Sequence, residues 1–296
     1  MVGLWQVDGT LPNLALMKLS AWIKRQGKTS VLQLEPSENT RYASVVFTAN
    51  AEKVAKGLKK YAFEVGGSGW NLSTELPDEI ESLVPDYSLY GIDYAMGYLS
   101  RGCIRKCSFC LVPEKEGRLH QVSDIEHLVR EDSRKLMLLD NNLTALPNVV
   151  DVLGEIAERR LKVCFTQGLD IRLITPEIAT VLNKVLYRST RWTTKQLFFA
   201  FDDVRLEPIV RKGIGILLDV GINPHTLSFY VLVGYSSTFE EDLYRCNVLR
   251  EYGIRPYVMR YKKSKQLNAL ARWANAPAGL WRNSFSEYLE HRNEYR

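Results

Sequence analysis

Three of the five cysteines lie close together in the sequence. Cys103, Cys107 and Cys110 form a C-x3-C-x2-C pattern within the segment RGCIRKCSFC (101–110). Three thiolates at this spacing can bind three irons of a [4Fe-4S] cluster, whereas ligation of every iron by protein takes four cysteines. The fourth iron would stay open to an exogenous ligand, as the fourth position of a catalytic zinc site does. The pattern therefore predicts an iron-sulfur centre with one coordination site left for chemistry.

Two other interpretations of this loop stay open, a structural zinc site and three unrelated thiols. A structural zinc usually takes two pairs of ligands. The sequence has no second cysteine pair, and the candidate fourth ligand is His120, ten residues after Cys110. The basic residues Arg101, Arg105 and Lys106 are expected to favour the thiolate forms and to offset the negative charge of a cluster.

The remaining cysteines, Cys164 and Cys246, lie alone among apolar residues. Five cysteines in 296 residues are too few for a disulfide scaffold. We therefore expect these two to be buried structural thiols, the usual state of an isolated cysteine in a strand or helix.

The cysteine pattern follows the first of six apolar, strand-like runs that alternate with segments of helical period. The predicted strands are YAMGYLS (94–100), KLMLLDN (135–141), KVCFTQG (162–168), QLFFAFD (196–202), LSFYVLVGY (227–235) and RPYVMRY (255–261). The predicted helices lie near 123–131, 147–160, 175–188, 206–220 and 238–252, with start signals at Asp124, Thr175 and Thr238. Because βα crossovers are right-handed, we expect a partial (β/α)6 TIM-type barrel with its functional residues at the carboxyl ends of the strands.

A strand followed by C-x3-C-x2-C, with the aromatic Phe109 before the last cysteine, resembles the radical S-adenosylmethionine (SAM) superfamily. The resemblance implies that the three cysteines bind a [4Fe-4S] cluster and that SAM chelates the open iron through its amino and carboxylate groups. It further implies reductive cleavage of SAM to a 5'-deoxyadenosyl radical, which abstracts hydrogen from a substrate that the sequence does not identify. An electron donor such as flavodoxin or ferredoxin is the expected partner.

The resemblance also implies SAM contacts where the predicted strands end. Asp140, Asn141 and Asn142 lie where the family often has Gly-Gly-Glu, and they offer acceptors for the SAM ammonium group. Arg172 suits a carboxylate by its fork geometry. The predicted cofactor-binding residues are Phe109, Asp140, Asn141, Asn142, Gln167, Asp170, Arg172 and Asp202.

These residues also have structural interpretations. Asp140 and Asn142 could cap the turn that follows them, and Asp202 could cap a helix. Arg172 could pair with Asp170 or with Glu177. Both kinds of interpretation stay open for each residue, and no catalytic side chain is predicted.

The first 90 residues are expected to form a smaller, doubly wound α/β domain, with strands near 3–7, 31–34 and 44–48 and a helix over 14–27. This domain resembles the cobalamin-binding-like domain that precedes the radical core in some family members. The usual Asp-x-His-x-x-Gly motif is absent, because the first histidine is His120. Cobalamin ligated by a histidine is therefore not expected. The loop 66–69, Gly-Gly-Ser-Gly, is either a plain turn or a binding loop.

The predicted domains are 1–90, the barrel at 91–261 and a basic helical tail at 262–296. From residue 257 onward the chain has eight Lys or Arg against three Glu, which accounts for the whole net charge of +5. Stacking aromatics in this region suggest nucleic acid as a partner; they are Tyr257, Tyr261, Trp273, Trp281 and Tyr288. The other interpretation is an amphipathic helix packed on the barrel with its charges in solvent.

The composition is that of an ordinary soluble protein, with 46% hydrophobic and 25% charged residues. No run of about 18 apolar residues could span a bilayer, and the N-terminus does not resemble a signal peptide. A cytoplasmic enzyme with no membrane partner is therefore expected. A non-enzymatic metal-binding scaffold and a nucleic-acid-binding protein are the alternatives.

Overall fold

The computed structural model describes residues 1–276 and 283–294. The chain is mixed α/β with parallel sheets and divides into two compact units. The first unit comprises Met1–Gly97, Leu111–Gly117 and Arg130–Lys135, and the second comprises Tyr98–Cys110, Arg118–Val129 and Leu136–Arg296. The domain bounds at 90 and 261 stay predictions.

The strands are β1 (Val2–Gln6), β2 (Ser30–Gln33), β3 (Thr40–Ser44), β4 (Glu64–Gly66), β5 (Ala95–Gly97), β6 (Ser100–Arg101), β7 (His120–Gln121), β8 (Lys135–Leu138), β9 (Lys162–Phe165), β10 (Leu186–Tyr187), β11 (Leu197–Ala200), β12 (Leu227–Val233) and β13 (Arg255–Arg260). The helices are α1 (Leu14–Arg25), α2 (Ala51–Leu58), α3 (Asp78–Glu81), α4 (Val112–Lys115), α5 (Ile125–Leu128), α6 (Val149–Glu158), α7 (Pro176–Lys184), α8 (Glu207–Asp219), α9 (Phe239–Glu251), α10 (Lys265–Asn275) and α11 (Phe285–Glu294).

The first unit contains a parallel sheet in the order β2-β1-β3-β4. Helix α1 is capped at its N-terminus by Asn13, whose side chain accepts a hydrogen bond from the backbone N–H of Leu16. The buried face of α1 packs its leucines against Leu4 of β1. These contacts follow from the helical spacing of apolar residues between 14 and 25.

The strand predicted at 44–48 is wrong, because β3 ends at Ser44. The N–H of Val45 still donates to the carbonyl oxygen of Gly66 in β4, but the next two residues bond to a side chain instead of a strand. Val46 N and Phe47 N donate to the two carboxylate oxygens of Asp8 at 2.8 and 3.0 Å. The hydrophobic run at 45–47 therefore looks like a strand in sequence but serves as a connection at the carboxyl end of the sheet.

The six strands predicted after residue 93 are present with narrower bounds, and the first is divided into β5 and β6. In the second unit, β8, β9 and β10 are neighbours in one sheet, and β11-β12-β13 form another, parallel one. A hydrogen bond of 2.7 Å from Leu169 N to Phe198 O joins the segment after β9 to β11. These parallel strands are compatible with a partial TIM-type barrel.

The predicted helix starts are confirmed. Asp124 and Thr175 each accept a hydrogen bond from a backbone N–H three residues later. Thr238 and Glu241 form a reciprocal capping box at the start of α9. Asx and hydroxyl caps are local signals, so the sequence predicts them well.

Cys164 and Cys246 are buried, as predicted. Burial raises the pKa of each thiol to about 12, because a thiolate would be poorly solvated there. Both are therefore protonated structural residues at neutral pH.

The aromatic residues of the basic C-terminal region have different environments. Trp273 is fully buried and contacts Phe285 with ring centroids 5.6 Å apart, as the packed-helix interpretation predicts. Tyr257 and Tyr261 are exposed. Trp281, Arg282 and Arg296 lie outside the described residues. Among the helices of the described part of the chain, none is long and apolar enough to cross a membrane.

Candidate functional site

The cysteine loop, residues 101–110, begins at the end of β6 with a turn at Gly102, whose φ of 78° favours glycine. Cys103, Cys107 and Cys110 are all half-buried and form no disulfide. The backbone N–H of Cys110 donates to the carbonyl oxygen of Cys107 at 3.0 Å. Cys107 and Cys110 therefore lie in the same hydrogen-bonded turn.

The thiols are close enough to affect one another electrostatically. The pKa of Cys107 is raised, chiefly by burial and further by the negative charges of Cys110 and Cys103, whereas Arg172 acts to lower it. The same guanidinium interacts with both Cys107 and Cys103. Arg172 is therefore near enough to two of the three candidate cluster ligands to favour their thiolate forms.

The pKa of Cys107 moves upward, and the effect of the loop's own basic residues on the thiolate stays a prediction. Burial outweighs the attraction of positive charge there. Arg105 is paired with Asp170, which offsets its charge. The cation that stabilises the Cys107 thiolate is Arg172, from a distant part of the sequence.

Asp170 is the centre of an ionic network. Its side chain is 5% exposed and accepts from Arg172 Nε at 2.6 Å and from Arg105 Nε at 3.1 Å. Burial alone would raise the pKa of this carboxyl, but the hydrogen bonds and charges of the two arginines lower it overall. Its backbone N–H donates to Thr144 Oγ1 at 2.9 Å. The structure thus shows the predicted pairing of Arg172 with Asp170.

Asp140 is buried and accepts three hydrogen bonds. They come from Leu99 N at 3.2 Å, Ser100 N at 2.5 Å and Ser100 Oγ at 2.7 Å. Burial raises the pKa of this carboxyl, and these hydrogen bonds act against that rise. Asp140 therefore anchors the chain just before the cysteine loop, while its predicted contact with SAM stays a prediction.

The two asparagines after Asp140 hold the cysteine loop itself. Asn141 Oδ1 accepts from Gly102 N at 3.1 Å. Asn142 Nδ2 lies 3.4 Å from both Cys103 Sγ and Asp170 Oδ2. The segment after β8 therefore contacts the backbone of the loop, one of its thiols and the ionic network.

The other predicted SAM contacts are more dispersed. Gln167 is exposed. Asp202 accepts from Leu232 N at 2.8 Å, which joins β11 to β12, and burial raises the pKa of its carboxyl. It does not cap a helix, since Asp203 is the residue that accepts the backbone N–H at the next turn. Phe109 is 37% exposed and contacts Tyr235 edge-on, with ring centroids 5.7 Å apart.

Two residues of this site were missed in the sequence. Thr144 joins Asn142 to the backbone of Asp170, and Ser100 binds Asp140. Their contacts connect residues far apart in the chain. A hydroxyl beside a strand end has no spacing signal of its own, so nothing in the sequence singles these two out. Tyr235, at the end of the fifth predicted strand, packs against Phe109.

Within the described ranges, 1–276 and 283–294, no group of three or more His, Cys, Asp and Glu side chains is arranged to hold a metal ion. His120, the candidate fourth zinc ligand, is exposed; its Nδ1 lies 3.0 Å from the carbonyl oxygen of Arg118. The donor set of the loop is three thiols, two of which interact electrostatically with Arg172. This set fits the ligand chemistry of an anionic iron-sulfur cluster.

Comparison with known proteins shows a short similarity to an enzyme. No protein-family model matches the chain. Two ribosomal protein uS12 methylthiotransferases called RimO, from Stenotrophomonas maltophilia strains K279a and R551-3, are each 36% identical to it over 76 residues. The match covers 23% of this chain and 17% of each relative. Local similarity to an enzyme supports an enzymatic function and identifies neither reaction nor substrate.

Proposed function

We propose that this protein is a radical SAM enzyme that holds a [4Fe-4S] cluster through Cys103, Cys107 and Cys110. The observation that carries the proposal is the cysteine loop, in which three thiols follow a short strand and two of them, Cys103 and Cys107, interact electrostatically with Arg172. The local similarity to a methylthiotransferase, a radical SAM enzyme, supports it. When bound, the reduced cluster would supply the electron that cleaves SAM, so that the deoxyadenosyl group abstracts hydrogen from a substrate.

The residues around the loop have a positioning role in this proposal. Asp140 anchors the chain before the loop, Asn141 holds Gly102, and Asn142 donates toward Cys103. Because a cluster with thiolate ligands is negatively charged, the guanidinium of Arg172 stabilises it electrostatically. A parallel βα arrangement, taken as a partial barrel, would place these strand ends around one cavity.

The comparison does not show that this chain transfers methylthio groups. The match covers a small part of each relative. Beyond the loop, this sequence contains Cys164 and Cys246, and both are buried with pKa values raised to about 12. Neither belongs to a second three-cysteine set that could hold an auxiliary, sulfur-donating cluster. The proposal therefore stops at reductive SAM cleavage and hydrogen abstraction.

Anaerobic reconstitution tests the proposal. The full chain is incubated with iron, sulfide, dithionite and SAM, and we expect a brown protein absorbing at roughly 400 nm, typical of thiolate-bound clusters. Analysis should give about four irons and four sulfides per chain, and chromatography should detect 5'-deoxyadenosine.

Cysteine variants separate ligation from general thiol chemistry. Cys107→Ala should lose both the chromophore and 5'-deoxyadenosine, whereas the matched control Cys246→Ala, outside the loop, should keep both. A cluster without SAM cleavage would contradict the enzyme and favour a metal-binding scaffold. Zinc bound in place of iron, with His120→Ala abolishing it, would favour the structural zinc site.

A further inference from the structure

Strand β13 and the residue after it expose three large side chains. Alternation along the strand places Tyr257 and Met259 on the side opposite to the buried Pro256 and Val258. Tyr261 follows the strand, and its N–H donates to the carbonyl oxygen of Val233 at 3.0 Å. Tyr257, Met259 and Tyr261 are 41%, 38% and 59% exposed, respectively. Large apolar residues exposed in a row are typical of a binding surface rather than of a solvated strand.

Tyr257 belongs to a rigid aromatic group. Phe198 and Tyr230 stack with ring centroids 4.7 Å apart and an interplanar angle of 10°. Tyr257 contacts both of them edge-on, at 6.5 and 5.8 Å. The hydroxyl of Tyr230 donates to the carbonyl oxygen of Thr166 at 3.2 Å. The exposed ring is therefore held in place, so it would lose little conformational entropy when a ligand stacks on it.

A second aromatic group leads from β13 toward the cysteine loop. Tyr261 contacts Tyr235 at a centroid distance of 4.7 Å, and Tyr235 contacts Phe109 at 5.7 Å. Phe109 directly precedes Cys110. Tyr261 is thus connected by ring contacts to Phe109 in the cysteine loop.

The charges along this part of the chain are all positive. Between residues 252 and 276 there is no Asp or Glu, whereas there are six basic residues: Arg255, Arg260, Lys262, Lys263, Lys265 and Arg272. Arg260 lies on the opposite face of β13 from Tyr257 and Met259, where it lines an open groove with Arg272, Asn268, Asn275 and Tyr288. Lys262 and Lys263 directly follow Tyr261, and basic groups beside exposed rings suit a ligand that has both phosphates and planar bases.

The free edge of β13 is blocked for an added peptide strand. Asn275 accepts from Val258 N at 2.7 Å and donates to Val258 O at 3.1 Å. Its amide therefore occupies the backbone groups through which a peptide would join the sheet. This arrangement disfavours an extended polypeptide and leaves the side-chain face as the binding surface.

We propose that β13 and the lysines that follow it bind a single-stranded nucleic acid, and that this is the substrate class of the cysteine-loop chemistry. Tyr257 and Tyr261 stack on bases, and Lys262 and Lys263 contact phosphates. The inference rests on the proposed function only for the reaction; binding is measured independently of SAM cleavage.

The test is fluorescence anisotropy of the full chain with a labelled 12-nucleotide mixed-sequence RNA, titrated at several salt concentrations. The double variant Tyr257→Ala/Tyr261→Ala should bind at least about fivefold more weakly, since stacking contributes about that much or more per base. Lys262→Gln/Lys263→Gln should reduce the log–log salt slope by about 1.4, the value for two phosphate contacts on a single strand.

Matched controls lie in the first unit. Phe47→Ala removes a similarly exposed ring, and Lys59→Gln/Lys60→Gln removes two exposed lysines; neither should change binding. Equal binding by the tyrosine variant and the parent would overturn the proposal. So would equally strong competition by polyglutamate, which would indicate an acidic polypeptide ligand. Loss of 5'-deoxyadenosine formation with RNA binding intact would refute the proposed function alone.

Discussion

Arg105 Nε lies 3.1 Å from Oδ2 of Asp170, so a residue inside the cysteine loop is joined to the segment that follows β9. The same carboxylate bonds to Arg172 at 2.6 Å. One buried negative charge therefore connects Arg105 of the loop with Arg172, whose guanidinium interacts electrostatically with Cys103 and Cys107.

Asp170→Asn should loosen the cysteine loop while the fold stays intact. The change keeps the shape of the side chain and removes the counter-charge of two partly exposed arginines. We expect a cost of about 1 to 2 kcal/mol, below the 3–5 of a fully buried pair because solvent screens the arginines. Thiol-reagent kinetics on cluster-free protein should show faster modification, and reconstitution should incorporate less iron.

The control is Asp203→Asn. Asp203 pairs with Arg205 in the same local geometry, two residues apart, but Arg205 is 85% exposed. This variant should react and reconstitute like the parent. Equal thiol reactivity in the Asp170 and Asp203 variants would show that the ionic network does not order the loop.

Arg245→Met should strongly destabilise the second unit. Arg245 and Asp242 are both buried at a separation of 2.6 Å, and the guanidinium also donates to the carbonyl oxygens of Phe201 and Leu232. Removing the cation leaves the Asp242 charge uncompensated, which costs about 3 to 5 kcal/mol. Hydrogen exchange of β12 amides should accelerate accordingly.

Two further variants show whether this loss comes from the buried pair. Arg211→Met breaks partly exposed pairs with Glu207 and Glu251 and should cost less than about 1 kcal/mol, because solvent screens them. Arg245→Met/Asp242→Asn should cost less than the two single changes added together. An Arg245 variant as stable as the Arg211 variant would show that the buried pair of Arg245 and Asp242 does not stabilise the second unit.

Acidification should weaken the first unit through Asp86. Burial tends to raise the pKa of this carboxyl, but hydrogen bonds from Lys24, Ser20 and Ser88 lower it below its ordinary value. Because the pKa of Asp86 is lower in the folded protein than in the unfolded chain, its ionised form stabilises the fold. This stabilisation is fully present above the unfolded pKa of about 3.9 and is lost as pH falls from there through the folded pKa.

Urea unfolding midpoints at pH 5 and pH 3 measure this effect. Asp86→Asn should be less stable than the parent at pH 5 and should lose less stability between the two values. The exposed Asp219→Asn should follow the parent. A parent-like pH response of the Asp86 variant would rule out this carboxylate as the source.

Gly67→Ala should destabilise the loop at 66–69 by more than the cost of a left-handed backbone conformation alone. Gly67 has φ of 100°, and a Cβ there would collide with the carbonyl oxygen of Val45. Gly91 has φ of 61° and open space around it. Gly91→Ala should cost about 1 to 2 kcal/mol from the left-handed backbone, and Gly67→Ala about 1 to 3 kcal/mol more from overpacking.

Thermal unfolding followed by circular dichroism compares the two glycine variants. A difference in melting temperature in favour of Gly91→Ala supports the interpretation of this loop as a packed turn. Equal melting temperatures would show that the loop can move away from Val45 and would leave room for a binding loop.

Local patterns made the elements predictable. Asp124, Thr175 and Thr238 cap helices by bonding to backbone groups within three residues, so the local sequence is enough to predict them. The strand expected at 44–48 was wrong because the N–H groups of Val46 and Phe47 bond to Asp8, almost forty residues earlier. A hydrophobic run has the same appearance whether it joins a sheet or a loop.

The sequence by itself determined the cysteine spacing, the alternation of strands and helices, and the positive C-terminal region. Only the tertiary structure decided that Asp170 joins Arg105 to Arg172, and that Trp273 is buried while Tyr257 and Tyr261 are exposed. The physical reason is the range of the forces. Caps and periodicity act between neighbours in the chain, whereas ion pairing and burial depend on which distant segments the fold brings into contact.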